Sequence, residues 1–205
     1  MPAKSRPRAG GAWATAWRML VTVARAAPGE TVLIVGASGG VGSGGIKIAK
    51  LAGCRVIAVV GGAWKVRRAL ALGADHAIDH MREDFQQRAL ELTGGRGVDV
   101  VMDSVGGATW RKSINSLRMF GRMAICGATS GDNPEISIRE VYQSHRRILG
   151  APLGNRTDFR NLLRCIFDGT LAPVVHARLP LDRIQEGLKK LEARDFFGKI
   201  VIQPT

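Results

Sequence analysis

The sequence lacks any apolar run of the roughly 18 residues needed to span a bilayer, which excludes a transmembrane helix. It is poor in cysteine, with Cys54, Cys126 and Cys165 far apart and no CxxC pair. These absences exclude a disulfide framework and predict no metal site. They leave three free thiols in apolar runs, as expected in a reducing cytoplasm. Acidic residues are also scarce, 17 against 30 lysines and arginines, for a formal charge of +13. Such a balance invites a nucleic-acid partner, but the basic residues are spread along the chain and no nucleic-acid-binding signature accompanies them. A polyanionic small ligand and solvated surface account for the charge instead. The first residues, Met1 to Gly11, are basic but have no apolar core behind them, so they read as a disordered leader rather than a secretory signal.

What remains fits one α/β domain with a short appendage. Residues 13–26 carry a helical stripe of Trp13, Ala16, Trp17, Leu20, Val21 and Ala24, broken by Pro28-Gly29. Thr31 to Val35 is a continuous β-branched apolar run, the mark of a strand buried on both faces. Helices at 43–52, 64–72, 83–92 and 108–118 then alternate with strands at 55–60, 76–79, 98–103 and 122–127, and a strand at 146–151 follows. This alternation predicts a doubly wound parallel six-stranded Rossmann sheet over 12–170, in the order 3-2-1-4-5-6. Residues 171–205 do not obviously continue it. They offer a strand at 174–178, a helix at 183–193 with Asp182 and Gln185 as capping box, and a strand at 199–202. A helix at 158–168 precedes them.

The chemistry centres on Gly36-Ala37-Ser38-Gly39-Gly40-Val41-Gly42, between the first strand and its helix. Read from Ala37 it is AxGxxG. Ala37 takes the tight turn, Gly39 lets backbone approach a pyrophosphate, and Gly42 permits close helix–strand packing. The helix start presents unpaired N–H groups and a positive dipole to phosphate. Gly44 and Gly45 read as small residues that allow further close packing. An NAD site places a carboxylate about 20 residues on, against the ribose hydroxyls. Here that position is Val60-Gly61-Gly62, and no acidic residue occurs between Thr31 and Ala74. Lys65, just past the second strand, would attract a 2′-phosphate. NADP(H) is therefore expected over NAD(H). The loop can also be read as the GxxxGxG of short-chain dehydrogenases. That family needs a Tyr-x-x-x-Lys pair, and the single tyrosine, Tyr142, is followed four residues on by Arg146.

Several motifs in order carry a more specific resemblance. They are Pro28-Gly-Glu-Thr-Val-Leu33, the glycine loop, Leu72-Gly-Ala-Asp75, Gly97-Val-Asp-Val-Val101 with Asp103-Ser-Val-Gly-Gly107, Gly127-Ala-Thr-Ser-Gly131 and Phe197-Gly-Lys-Ile-Val201. Together, from Ala14 to Pro204, the chain resembles the cofactor-binding part of the medium-chain dehydrogenase/reductase family, in its quinone-reductase-like and zinc-type alcohol dehydrogenase branches. The resemblance implies hydride transfer between NADP(H) and a quinone, carbonyl or activated alkene or alcohol. It implies Lys65 and Arg194 near the 2′-phosphate, and His80 where a tyrosine often lies beside adenosine. Ser104, Val105 and Gly106, with Gly127, Ala128 and Thr129, would lie by the nicotinamide. It also implies an N-terminal catalytic domain with no counterpart in these residues. Residues 171–205 would pack on that domain, so 199–202 would lack its sheet partners here. No catalytic acid or base can be named; Asp103, Ser104 and Thr129 read better as strand-end hydrogen-bonding groups. A catalytically silent NADPH-binding or dimer-forming module is the alternative. A homodimer is expected through the exposed edge at 146–151, as in related enzymes.

Overall fold

A computed structural model describes residues 10–204. Its main sheet has six parallel strands in the order β3-β2-β1-β4-β5-β6. The strands are β1 Thr31–Val35, β2 Arg55–Val60, β3 His76–Asp79, β4 Val98–Asp103, β5 Leu117–Ile125 and β6 Arg147–Gly150. Helices α1 Gly10–Trp17, α2 Gly40–Leu51, α3 Ala63–Ala71, α4 Phe85–Leu92, α5 Gly107–Asn115, α6 Ile138–Gln143 and α7 Arg156–Phe167 surround it. The unbroken apolar run of β1 has a simple cause. Val32 and Ile34 face a core built with Trp13, Met19, Leu20 and Ile46. Leu33 and Val35 face a second core with Ile57, Val101 and Phe85 on the other side. Each face is covered, so neither alternate set can be polar. None of the helices is long and apolar enough to cross a membrane, among the described residues.

The leader expected at 1–11 falls on residues outside the described ones, except that Gly10 and Gly11 already belong to α1. The helix expected over 13–26 runs three residues earlier, from Gly10 to Val23, and changes pitch. After Trp17 it widens into a π-helical turn, Arg18–Val23, closed by the Ala24 amide on the Met19 carbonyl. The widened turn is where Arg18 and the Thr22 hydroxyl both reach the buried Asp158 of α7, at 3.2 and 2.5 Å. Burial pushes the Asp158 carboxyl up. The bonds from Thr22, the Asn155 amide and Arg18 outweigh burial and hold it below the usual range. The helix then stops before Ala26 because Arg122 of β5 takes the Ala24 and Arg25 carbonyls and both carboxylate oxygens of Glu30.

Other boundaries moved for local reasons. Strand β5 starts at Leu117, inside the expected helix 108–118, because Leu117 pairs with Val98 before the register shifts to Val100–Arg122. Helix α6 has no counterpart among the expected elements; six residues are too few to show a period, and its signal is the Ser137 cap alone. Helix α7 starts two residues earlier than expected, on an Asn155/Asp158 capping box. The capping box expected at Asp182 and Gln185 does not form. Asp182 lies inside a 3-10 turn, Leu181–Arg183, and helix α8 Ile184–Glu192 has no side-chain cap. Strand β8 Lys199–Gln203 is also not unpaired. It lies parallel to β7 Val175–Pro180 in a separate two-stranded sheet. The Gly187 position of α8 packs on Leu179, Ile200 and Ile202 of that pair.

Candidate functional site

The carboxyl ends of β1, β2, β4 and β5 meet at the point where strand order reverses, between β1 and β4. Crevices at such switch points take ligands in open α/β sheets. The glycine loop lies there. Its tight turn falls at Gly36, φ +73°, one residue before the expected Ala37, which is buried with its amide on the Val59 carbonyl. Gly39 is the N-cap of α2 and supplies no side-chain cap, so the first-turn amides are open to an external acceptor. The packing roles also redistribute. A Cβ on Gly42 would collide with the Gly36 carbonyl oxygen and Ala37 Cα, so Gly42 closes the loop on itself. The helix–strand approach expected of Gly42 belongs to Gly45, where a Cβ would lie 2.6 Å from Met102 Sδ of β4. Gly44 sits against the Trp13 ring, as its small size suggested.

The β4–β5 side of the crevice is made by interlocked strand ends. Ser104 Oγ and Val105 Cγ2 lie 3.4 and 3.0 Å from where a Gly36 Cβ would be. The Ser104–Gly106 and Gly127–Thr129 segments are joined by Ser130 N–H to Val105 O (2.9 Å), Gly107 N–H to Gly131 O (2.8 Å) and the Thr129 hydroxyl to Val105 O (3.3 Å). A Cβ on Gly106 would meet Ala128 Cα at 2.7 Å. Asp103 sets this arrangement. Its buried carboxylate accepts from the Val105 and Gly106 amides and from the Thr109 and Ser113 hydroxyls, at 2.6–3.1 Å. That is four donors on one carboxylate, an anchoring role. Cys126 follows β5; burial, then the Asp103 charge, push its thiol up to about 11, so it is neutral at physiological pH.

At the end of β2, Gly61 and His80 are brought together. A Gly61 Cβ would lie 2.9 Å from His80 Nε2, and the His80 amide bonds the Val60 carbonyl. Asp79 at the end of β3 is turned to backbone. It accepts from the Gly62 amide at 2.8 Å and the Met81 amide at 3.1 Å. The Gly62 bond holds its carboxyl below the usual range, against the opposing effect of burial. Lys65 and Arg194 also meet, but through backbone. Lys65 is buried, and its Nζ donates to the Arg194 carbonyl at 2.5 Å, while the Arg194 side chain is exposed. Sequence reasoning missed Lys199. Gly198 donates its amide to the Ser38 carbonyl at 2.8 Å, and Lys199 Nζ lies 2.9 Å from where a Gly40 Cβ would be, at the first turn of α2. The signal was present in Gly198-Lys199, a glycine that must approach the Val174 carbonyl closely, followed by a cation.

A family model described as zinc-binding dehydrogenase matches residues 40–168. The chain belongs to this family. The assignment agrees with the medium-chain dehydrogenase/reductase resemblance of its motifs. A 2-haloacrylate reductase of a Burkholderia species is 34% identical over 93% of this chain and 60% of its own length. A phenolphthiocerol/phthiocerol polyketide synthase polypeptide of Mycobacterium tuberculosis is 40% identical over 94% of this chain and 9% of its own. Among solved structures, an NAD-dependent alcohol dehydrogenase superimposes with a TM-score of 0.87 at 39% identity, over 94% of this chain and 56% of that one. The 2-octenoyl-CoA carboxylase reductase CinF, in complex with NADP and 2-octenoyl-CoA, gives 0.87 at 28%, over 95% and 48%. The chain thus spans at most about 60% of the length of these relatives. The family's description implies zinc, yet among the described residues no three histidine, cysteine or carboxylate side chains are grouped to hold one. The donor set does not fit the metal in this zinc-binding dehydrogenase domain.

Proposed function

We propose that this domain binds NADP(H) in the crevice and serves an oxidoreductase that moves hydride to or from a carbonyl, quinone or activated alkene. The observation that carries the proposal is the uncapped first turn of α2, faced by Lys199 and closed underneath by Gly42. These amides and the Lys199 ammonium would hold the pyrophosphate. Gly61 and His80 would border the adenosine. The strand ends at 104–106 and 127–129, braced by Asp103, would hold the nicotinamide ribose and ring. The cofactor, when bound, supplies a transferable hydride at nicotinamide C4. The chain's own contribution is to bind and orient; no side chain in the crevice stands out as an acid or base.

The choice of NADP(H) rests on two features of the end of β2. Asp79, at the neighbouring end of β3, has Oδ1 on the Gly62 and Met81 amides and Oδ2 4.0 Å from Arg82, so its charge is met by its own backbone and a cation. The exposed Arg194 side chain leaves from the turn that touches α3. Relatives include both an NAD-dependent dehydrogenase and an NADP complex, so the choice is settled by titration. Calorimetry with each nucleotide should give a lower Kd for NADPH than for NADH. Equal values, or tighter NADH, would remove the NADP(H) assignment while leaving dinucleotide binding intact.

Substrate contacts would come from a further domain packed on the C-terminal unit. Helix α8 supports this, since Ile184, Leu188 and Leu191 are exposed at helical spacing, with Leu181 of the preceding 3-10 turn exposed beside them. We further propose a homodimer through β6, which lies at the edge of the main sheet.

A further inference from the structure

Helix α7 is amphipathic on two sides. Its inner face belongs to the fold: Leu162 is fully buried, and Asp158 is turned inward to Arg18 and Thr22. Its outer face carries two ladders at four-residue spacing, Arg156, Arg160 and Arg164 beside Phe159, Leu163 and Phe167. These six side chains line one open groove of about 360 Å³. All three arginines are exposed, and among the described residues none of them makes an ion pair. Phe159 is 38% exposed and Phe167 58%. Folding does not call for such a face. A cation in the first turn, as at Arg156, opposes the helix dipole, and an exposed phenylalanine forgoes the gain of burial. The carboxylate that follows the helix, Asp168, accepts from the Thr170 amide.

We propose that this face docks an acidic amphipathic helix of another polypeptide, with carboxylates on the arginines and an apolar side chain in the groove. The four-residue repeat selects a helix. Successive arginines stand about 6 Å apart along the axis, which is also the spacing of carboxylates at i and i+4 on a second helix. Each guanidinium can take a carboxylate through two parallel N–H donors. An isologous second copy would set arginine against arginine. The stretch Met1 to Ala9 has no carboxylate side chain and carries Lys4, Arg6 and Arg8, so it does not answer the charge either. A bilayer takes a protruding apolar face. This one is indented, and it cannot roll outward because Leu162 on the other side is locked in the core. A nucleic acid offers phosphates to the arginines but no aliphatic side chain to fill the groove.

The test titrates a labelled helical peptide of about four turns into the 205-residue chain, read by fluorescence anisotropy. The peptide carries a ladder of glutamates at four-residue spacing beside a ladder of leucines; a control peptide has lysine for every glutamate. Only the acidic peptide should bind. Changing Arg156→Gln, Arg160→Gln and Arg164→Gln together should weaken it by roughly tenfold or more, and Phe159→Ala alone by roughly tenfold, as for an anchor at the centre of an interface. Removing three other exposed cations, by Arg67→Gln, Arg68→Gln and Lys189→Gln, should weaken it by less than about threefold. An equal loss in that second triple variant means general attraction to a basic protein and overturns the inference. A wild-type chain that ignores the acidic peptide overturns it too. Glutamine keeps helix propensity at exposed sites. Should the α7 variant still fail to fold, nitrogen-15 NMR of the wild-type chain decides. Peptide-induced amide shifts centred on 156–167 support the docking face, and shifts spread over the surface overturn it. Phosphatidylserine vesicles and single-stranded oligodeoxythymidine are titrated in parallel. If either moves the α7 amides while the peptide does not, the occupant is a membrane or a nucleic acid and the proposed helix is wrong.

Discussion

At the scale of single residues, the glycine loop separates what folds the chain from what would bind a ligand. Gly42 has backbone on the side where a Cβ would go, and backbone cannot move aside cheaply. Gly42→Ala should therefore cost about 1–3 kcal/mol of stability, the usual range for overpacking. A melting curve would show a drop of several degrees. Gly39 differs. It has φ −75°, and its Cβ would stand 3.4 Å from the Gly36 carbonyl oxygen. Gly39→Ala should melt near wild type yet lose NADPH affinity by at least tenfold, because the methyl group would stand where a pyrophosphate approaches. If both variants lost stability equally, the division of labour between the two glycines would be wrong. The loop itself was legible in the sequence because a strand run and a helix flank it. Its inner roles were less so. Whether Gly42 or Gly45 faces the sheet depends on where the helix starts, and a glycine-rich stretch does not reveal that. Lys65 was legible as a cation beyond β2. Its burial was not, because the atoms that enclose it come from Arg194 and Phe196, far along the chain.

At the scale of elements, the polar clamps explain where helices end better than periodicity does. Arg122 lies on β5, with a nearly buried side chain that gathers Glu30 and the last carbonyls of the first helix. Burial pushes the Glu30 carboxyl up, and the Arg122 bonds and the Ala27 amide more than reverse it. Removing one partner of such a pair leaves the other charge poorly solvated. Arg122→Met should destabilise by about 3 kcal/mol, and adding Glu30→Gln should recover part of that loss. Urea unfolding of the two variants and the double variant tests this; purely additive losses would refute the coupling. The clamp also shows why the stripe at 13–26 placed the end of the helix too late. Apolar spacing continues to Ala24, but Arg25 turns left-handed at φ +50° and the carbonyls before it are claimed from outside. Strands β2, β3 and β4 matched their expected limits because Gly or Asp punctuates each end. Helix α6 escaped because its six residues carry no stripe and none of them is buried.

At the scale of the whole molecule, strand order followed from the alternation of elements and the right-handed crossover rule. The C-terminal unit did not. The expectation of an unpaired 199–202 came from family resemblance, and the pairing with β7 is a contact between segments separated by α8. The unpaired edge of the main sheet carries the dimer proposal. β6 is short, with Ile148 and Leu149 partly exposed, and open edges of this kind are normally covered or paired. Light scattering at micromolar concentration should give twice the chain mass of 22.0 kDa. Ile148→Pro removes a backbone donor from the edge and should shift the mass toward one chain. A monomeric wild type, or a dimer indifferent to that proline, would place the contact elsewhere.

The bond from Gly198 to Ser38 also has a meaning in time. A chain emerging from the ribosome presents the glycine loop early, and the loop's strand and helix can pack as soon as β4 arrives. The amide that seats on Ser38, and the lysine beside it, are made much later. Until then the nascent domain would hold a phosphate loop without its cover. A nucleotide that bound during synthesis would dwell briefly, and firm occupancy would begin only when residues 194–199 had been made and folded back.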